Sequence, residues 1–144
     1  HGRQGREGSS FTWGVALDDD APDRDRLVGL LSLGGIQYGS VLSGSIGYWI
    51  DRREAGRGLT PTAVAMAADW AFRSAGLHRV EVNIRPENAA SLRVVEKLGL
   101  RDEGVRRSYL HVDGDWRDHR TFAITAEEVP EGLLARWLAS RPRA

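Results

Sequence analysis

Residues 47–64, GYWIDRREAGRGLTPTAV, change character halfway along. An apolar, strand-like run enters a loop holding Gly56, Gly58 and three arginines, Arg52, Arg53 and Arg57, and leaves it as a helix. Thr60 is placed to cap that helix, and Pro61 takes its first position, where a missing N–H costs nothing. The junction ties a helix to a sheet, and the rest of the chain has to be built around that tie.

Upstream, FTWGVAL (11–17) has strand-forming residues, DDDAPDRDR (18–26) is an acidic loop, and LVGLLSL (27–33) is a continuous apolar run suited to a buried strand. GGIQYGSVLSG is turn material and SIGYWID (45–51) a third strand. Downstream, the alanine-rich helix PTAVAMAADWAFRSA ends at Gly76. RVEVNI (79–84) alternates, with Val80, Val82 and Ile84 on one face and Arg79, Glu81 and Asn83 on the other. Asn88 can cap a second helix, AASLRVVEKL, which stops at Gly99. Two further strands, roughly 101–112 and 119–125, are joined by DGDW (113–116), whose Asp-Gly favours a hairpin. EGLLARWLAS suits a terminal helix. Three strands, helix, strand, helix and two strands make one domain of α/β (α+β) class, a mixed sheet flanked by helices.

A chain of 144 residues supports one core. Its zero net charge gives no global field for nucleic acid or an anionic membrane, so any anion must be held locally. No cysteine is present, which excludes disulfides and thiolate chemistry. The four histidines show no metal-ligand spacing, and no metal is expected. No apolar run approaches about 20 residues and no secretory signal is visible, so a cytoplasmic setting is expected. The chain opens on His1, with its only methionine at 66, and reads like part of a longer one. Residues 1–10 are expected to be flexible, 11–126 to form the domain and 127–144 a C-terminal helical tail.

The glycine loop suits phosphate. Amides at a helix start are unpaired and the dipole adds positive charge there. Glycines let a ligand reach the main chain, and arginines supply more charge. A Walker loop is excluded because Leu59 follows Gly58, and the dinucleotide fingerprint because Pro61 stands where its third glycine belongs. The bland alternative is a turn with glycine for geometry and arginine for solubility.

Arg53-x-x-Gly56-x-Gly58 resembles the pyrophosphate loop of the Gcn5-related N-acetyltransferases (GNAT), which bind acetyl-coenzyme A. GSIGYWIDRREAGRGL, AGLHRVEVNIRPENAASLRVVEKLGL and DEGVRRSYLHVDGDWRDHRTFAI are similar, in order, to the RimJ/RimL-type branch that acetylates ribosomal-protein N-termini. The resemblance implies a largely antiparallel twisted sheet with acetyl-CoA as co-substrate. Its pyrophosphate would lie on Ala55, Gly56, Arg57, Gly58 and Leu59, with Arg53 and Thr60 alongside. The backbone of Trp49 and Ile50 would hold the pantetheine arm, with Asn83 and Asn88 as further cofactor contacts. Ser91 would sit by the sulfur and help protonate it. The plain alternatives are capping by Asn88, an exposed Ser91, and Tyr48 and Trp49 packing on the sheet, the last being the expectation for the Trp49 ring.

Departures from the family pattern bear on the general base. Val95 stands where many members have a tyrosine acid, and Asn83 and Ser45 where relatives have glutamates. Leu110, flanked by Tyr109 and His111, falls where the RimL-type glutamate lies. The resemblance therefore implies no standard carboxylate base. A free α-amine, with a pKa of about 7.7–8.0, is partly neutral already, and water relayed by His111 or a backbone carbonyl could take its proton. His111 is otherwise a surface strand histidine, and His78 and His119 are weaker candidates. Glu81, Glu103 and Asp118 are the fallback carboxylates. The family's first strand and first two helices have no counterpart here, which implies a groove beside strand 45–50 and hairpin 109–119 that is open or completed by another chain, as in a homodimer. The functions in play are acetyl transfer to a protein N-terminal α-amine or small-molecule amine, noncatalytic acyl-CoA binding, and a purely structural domain.

Overall fold

A computed structural model describes residues 10–17, 26–50 and 58–141. The elements are β1 (Phe11–Leu17), β2 (Arg26–Gln37), β3 (Ser43–Ile50), α1 (Leu59–Arg73), β4 (Arg79–Ile84), α2 (Ala89–Leu98), β5 (Arg101–Val112), β6 (Asp115–Thr125), a short 3-10 turn (Ala126–Glu128) and α3 (Leu133–Ser140). The six strands form one sheet in the order β1-β2-β3-β4-β6-β5. All neighbours are antiparallel except β3 and β4. This is the mixed sheet expected from the order of elements, and largely antiparallel as the family resemblance implied.

The alternation in RVEVNI decides which face is covered. Val80, Val82 and Ile84 are buried, and Arg79, Glu81 and Asn83 lie on the other face. With Leu31, Leu33, Ile46, Phe122 and Ile124 they meet Val64, Ala68, Val95, Leu98, Leu133 and Trp137 of the three helices. Each fully buried Leu, Ile or Val side chain contributes about 1.5–3 kcal/mol relative to exposure. The alanine face of α1, with Ala65 and Ala71 both fully buried, lets that helix lie close to the sheet.

α3 binds the other two helices together. Leu133 and Leu134 donate their N–H groups to the two carboxylate oxygens of buried Asp69 on α1, at 2.7 and 3.1 Å. Trp137 donates its indole N–H to Thr62 Oγ1 at 2.9 Å, and Thr62 donates onward to the Gly58 carbonyl at 2.7 Å. Arg136 donates to the carbonyl of Leu98, the last residue of α2, at 2.6 Å.

Several local expectations are corrected. Thr60 does not cap α1: Gly58 stands at the cap with φ 79° and no side-chain bond, and Thr60 is buried in the first turn. The left-handed glycine turns the chain directly into the helix, so no side-chain cap is built. α1 stops at Arg73, and the chain closes through Gly76, where Leu77 donates its N–H to the Ala71 carbonyl at 3.0 Å. GGIQ is strand rather than turn: β2 continues to Gln37 across a bulge, because Ile36 drops into the core at 1% exposure. β3 begins at Ser43, two residues earlier than expected. In the hairpin only Asp113 (φ 53°) and Gly114 (φ 81°) form the turn, so Asp115 and Trp116 already belong to β6.

Candidate active site

β3 and β4 run side by side at only three pairs, Ser43↔Arg79, Gly44↔Val80 and Ser45↔Glu81. Beyond them β3 stays with β2 as far as Ile50, and β4 stays with β6 as far as Ile84. The facing edges of the two strands therefore separate, and their N–H and C=O groups have no ladder partner across the fork. Such groups need partners, and an extended polar ligand can supply them. Gly44 lies at the closed end of the fork, where a Cβ would lie 2.9 Å from Leu33 Cδ1 and 3.1 Å from Leu77 Cδ1. On the other face the fork is pinned by side chains. Thr121 donates to Asn83 Oδ1 at 2.7 Å, and Asn83 Nδ2 donates to Ser45 Oγ at 3.2 Å.

On the helix side the fork meets a groove of about 460 Å³, lined by Tyr48 and Trp49 of β3, Gly58 and Thr60 at the start of α1, and Asn88 and Ser91 of α2. The alternation of β3 puts Tyr48 on the same face as Ile46, aimed at α2. There the Ser91 hydroxyl donates to the Tyr48 phenol oxygen at 2.7 Å, and the phenol donates to the Ser91 carbonyl at 3.2 Å. Burial raises the pKa of the phenol, and the bond from Ser91 offsets part of that rise. Asn88 does cap α2, its Oδ1 accepting the Ser91 N–H at 3.1 Å, and that cap fixes the turn on which Ser91 rides. Arg93 and Lys97 of α2 add positive charge to the groove wall. Arg141 lies over the Trp137 ring, 5.4 Å from its centroid, with its guanidinium 3.1 Å from the Cβ position of Gly58.

A family profile described as Acetyltransferase (GNAT) domain matches residues 2–101. The chain belongs to the GNAT acetyltransferase family. A probable N-acetyltransferase of Bacillus subtilis, YjcK, is 40% identical over 100 residues, 69% of this chain and 55% of that protein. The [ribosomal protein uS5]-alanine N-acetyltransferase of Escherichia coli is 32% identical over 127 residues, 88% of this chain and 63% of the relative. A solved structure of Mycobacterium smegmatis RimJ in complex with CoA-disulfide superposes with a TM-score of 0.75 at 43% identity, over 80% of this chain and 55% of that one. These relatives put the GNAT domain in the RimJ/RimL-type branch. The chain spans between half and two thirds of their lengths.

Within this GNAT domain, Trp49, Gly58, Thr60, Asn88 and Ser91 come together on the groove. Leu59 opens α1 beside them, and Ile50 ends β3 at the fork. Arg53, Ala55, Gly56 and Arg57 lie outside the described residues. Asn83 stands at the fork with both amide atoms engaged, on the face away from α2. The Trp49 ring does not pack on the sheet as expected but is 59% exposed, since no described element covers its face.

His111 is not in the groove lining. It stands on edge strand β5 with its ring against Trp116, 5.3 Å between centroids. His119 is buried beneath Tyr109, and His78 pairs with Glu127 at 2.6 Å. Val95 is fully buried in the core. Glu81 lies between Arg79 at 2.9 Å and Arg106 at 3.4 Å, and Asp118 accepts the Ser108 N–H at 2.8 Å. Hydrogen bonds from Arg79, with Arg101 beside it, hold the Glu103 carboxyl down at about 2, too acidic for a useful base at neutral pH. Among the described residues, no carboxylate lines the groove. Sequence reasoning gave no role to the Tyr48 hydroxyl, Arg93, Lys97 or Arg141. The alternation of β3 held a signal for Tyr48, whereas Arg141 reaches Gly58 only through the docking of α3.

Proposed function

We propose that this GNAT domain transfers acetyl from acetyl-CoA to a primary amine by direct attack in a ternary complex. The observation that carries the reading is the fork between β3 and β4 opening onto a groove in which Ser91 and the uncapped start of α1 stand together. The residues fit the co-substrate. Free amides at the α1 start, a glycine cap and a basic wall suit a pyrophosphate, and the unpaired strand edges suit the amides of a pantetheine arm. Acetyl-CoA supplies the activated acetyl thioester. That a related RimJ has been solved with CoA-disulfide supports this choice.

In this reading the edge of β3 at Trp49 and Ile50 orients the arm and donates to the thioester carbonyl, and the first turn of α2 brings Ser91 to the sulfur. Ser91 helps protonate the departing thiolate, and the α2 dipole favours the anion. Neither His111 nor a carboxylate is the base. A free α-amine is sufficiently deprotonated near pH 8 for water to take its proton. Positioning then supplies most of the acceleration.

The acceptor we favour is a protein N-terminal α-amine, in line with the uS5-alanine enzyme among the relatives, with small-molecule amines as the other class. The lack of a carboxylate among the described residues of the groove lining favours a second reading, a noncatalytic acyl-CoA-binding module of the same fold. Two measurements on the full-length gene product separate these. Calorimetry with coenzyme A tests binding. Thiol release from acetyl-CoA with alanine-, serine- and methionine-starting peptides and with polyamines tests transfer. Binding without thiol release for any acceptor selects the second reading, and no binding at all removes both.

A further inference from the structure

We infer that Tyr48 is a positioning residue for Ser91: its phenol O–H turns the Ser91 hydroxyl into a free donor aimed at the groove. The inference rests on the acetyl-transfer reading. It starts from a geometric conflict in the hydrogen bonds. In one arrangement that the oxygen positions allow, the Ser91 proton points at Tyr48 and the Tyr48 proton at the Ser91 carbonyl. A serine whose only proton is committed to a phenol cannot also give it to a sulfur.

The same three oxygens allow a second arrangement without moving a heavy atom. The phenol oxygen is 2.7 Å from Ser91 Oγ and 3.2 Å from the Ser91 carbonyl, so its proton has two acceptors and the closer one is the hydroxyl. Both hydroxyls are free rotors. When the phenol donates to Ser91 Oγ, the Ser91 proton is released towards the groove. A hydroxyl that accepts one bond is also a stronger donor in the next, so the phenol polarises the serine. The Ser91 carbonyl loses little, because inside α2 it also serves the helical ladder.

The phenol itself keeps its proton. Burial disfavours the phenolate, so Tyr48 acts as a donor and orienter, not as the acid. Over the reaction the C–N bond forms and the C–S bond breaks. The amine nitrogen gives one proton to water, and sulfur takes one through Ser91, whose oxygen is reprotonated from water. A new anion at the sulfur supplies the reason for the rotors to switch, which ties the second arrangement to the charged stage of the reaction.

Tyr48→Phe keeps the ring and removes only the hydroxyl. With the full-length protein and the best acceptor found, kcat is expected to fall at least tenfold, with coenzyme A affinity and melting temperature near those of the unmodified protein. Placed on top of Ser91→Ala, the same substitution should cost nothing further, because its effect passes through the serine. A Tyr48→Phe enzyme within twofold of normal kcat overturns the inference, as does a full additional loss in the Ser91→Ala background. An equal fall in coenzyme A affinity and kcat also overturns it, since that marks a packing or binding role. If the unmodified protein turns over no acceptor, the transfer reading fails and takes this inference with it, whereas normal turnover with an indifferent Tyr48 removes this inference alone.

Discussion

Asp69→Asn is a sharp test of how the C-terminal helix is attached. Asp69 is 8% exposed, and its two oxygens receive the first free N–H groups of α3, from Leu133 at 2.7 Å and Leu134 at 3.1 Å. Gly132 at the α3 cap offers no side chain for that task. An asparagine fills the same volume but carries one acceptor and one NH₂. Whichever way the amide turns, an N–H of α3 then faces another N–H in a buried site. The loss is one charge-assisted hydrogen bond, about 1.5–3 kcal/mol, with a further desolvation cost for the stranded donor. We expect a total near 3 kcal/mol, which at about 3 °C per kcal/mol lowers Tm by roughly 9 °C in a chain of this size. Thermal melts and urea titrations at one pH read this directly. Fluorescence should shift to the red at lower denaturant, because Trp137 leaves its site against Thr62 when α3 detaches. A Tm within about 2 °C of the parent and an unchanged urea midpoint would refute the capping role of Asp69.

Three other outcomes are expected from the structure. Gly58→Ala places a Cβ at φ 79°, costing roughly 1–2 kcal/mol, and presses on the Arg141 guanidinium; calorimetry should show coenzyme A binding at least tenfold weaker, and unchanged affinity removes the cofactor from the α1 start. Gly44→Ala forces a methyl to 2.9 Å from Leu33 Cδ1 at the closed end of the fork and should cost about 1–3 kcal/mol by urea titration, whereas a neutral result means that Leu33 and Leu77 yield freely. Because the Glu103 carboxyl is depressed from 4.5 to about 2, its contribution is fully present above pH 4.5 and lost as pH falls towards 2. The shift alone corresponds to roughly 3 kcal/mol, and solvent screening brings this to about 1 kcal/mol. Arg79→Met should flatten that acid limb in urea midpoints measured across the range, and an unaltered limb assigns the acid sensitivity elsewhere.

The sequence by itself determined the elements whose signals are local. RVEVNI is the strand Arg79–Ile84 because a period of two needs nothing beyond its own residues to mark a half-buried strand. Ala89–Leu98 is the helix between an Asn88 cap and Gly99 for the same reason, and Asp113-Gly114 made its hairpin. Where two local signals competed, packing chose. GGIQ has turn composition, yet Ile36 gains more from the core than the glycines lose in the strand. Thr60 has a capping side chain, yet the left-handed Gly58 leaves it no cap to make. The site divides in the same way. Gly58, Asn88 and Ser91 could be named from spacing within one turn or loop. The fork between β3 and β4, the meeting of Tyr48 with Ser91 across 43 positions and the reach of Arg141 to Gly58 could not. These depend on how far apart two strands lie and on where α3 docks, and such distances are set by side-chain volumes from every layer at once rather than by any single stretch of chain.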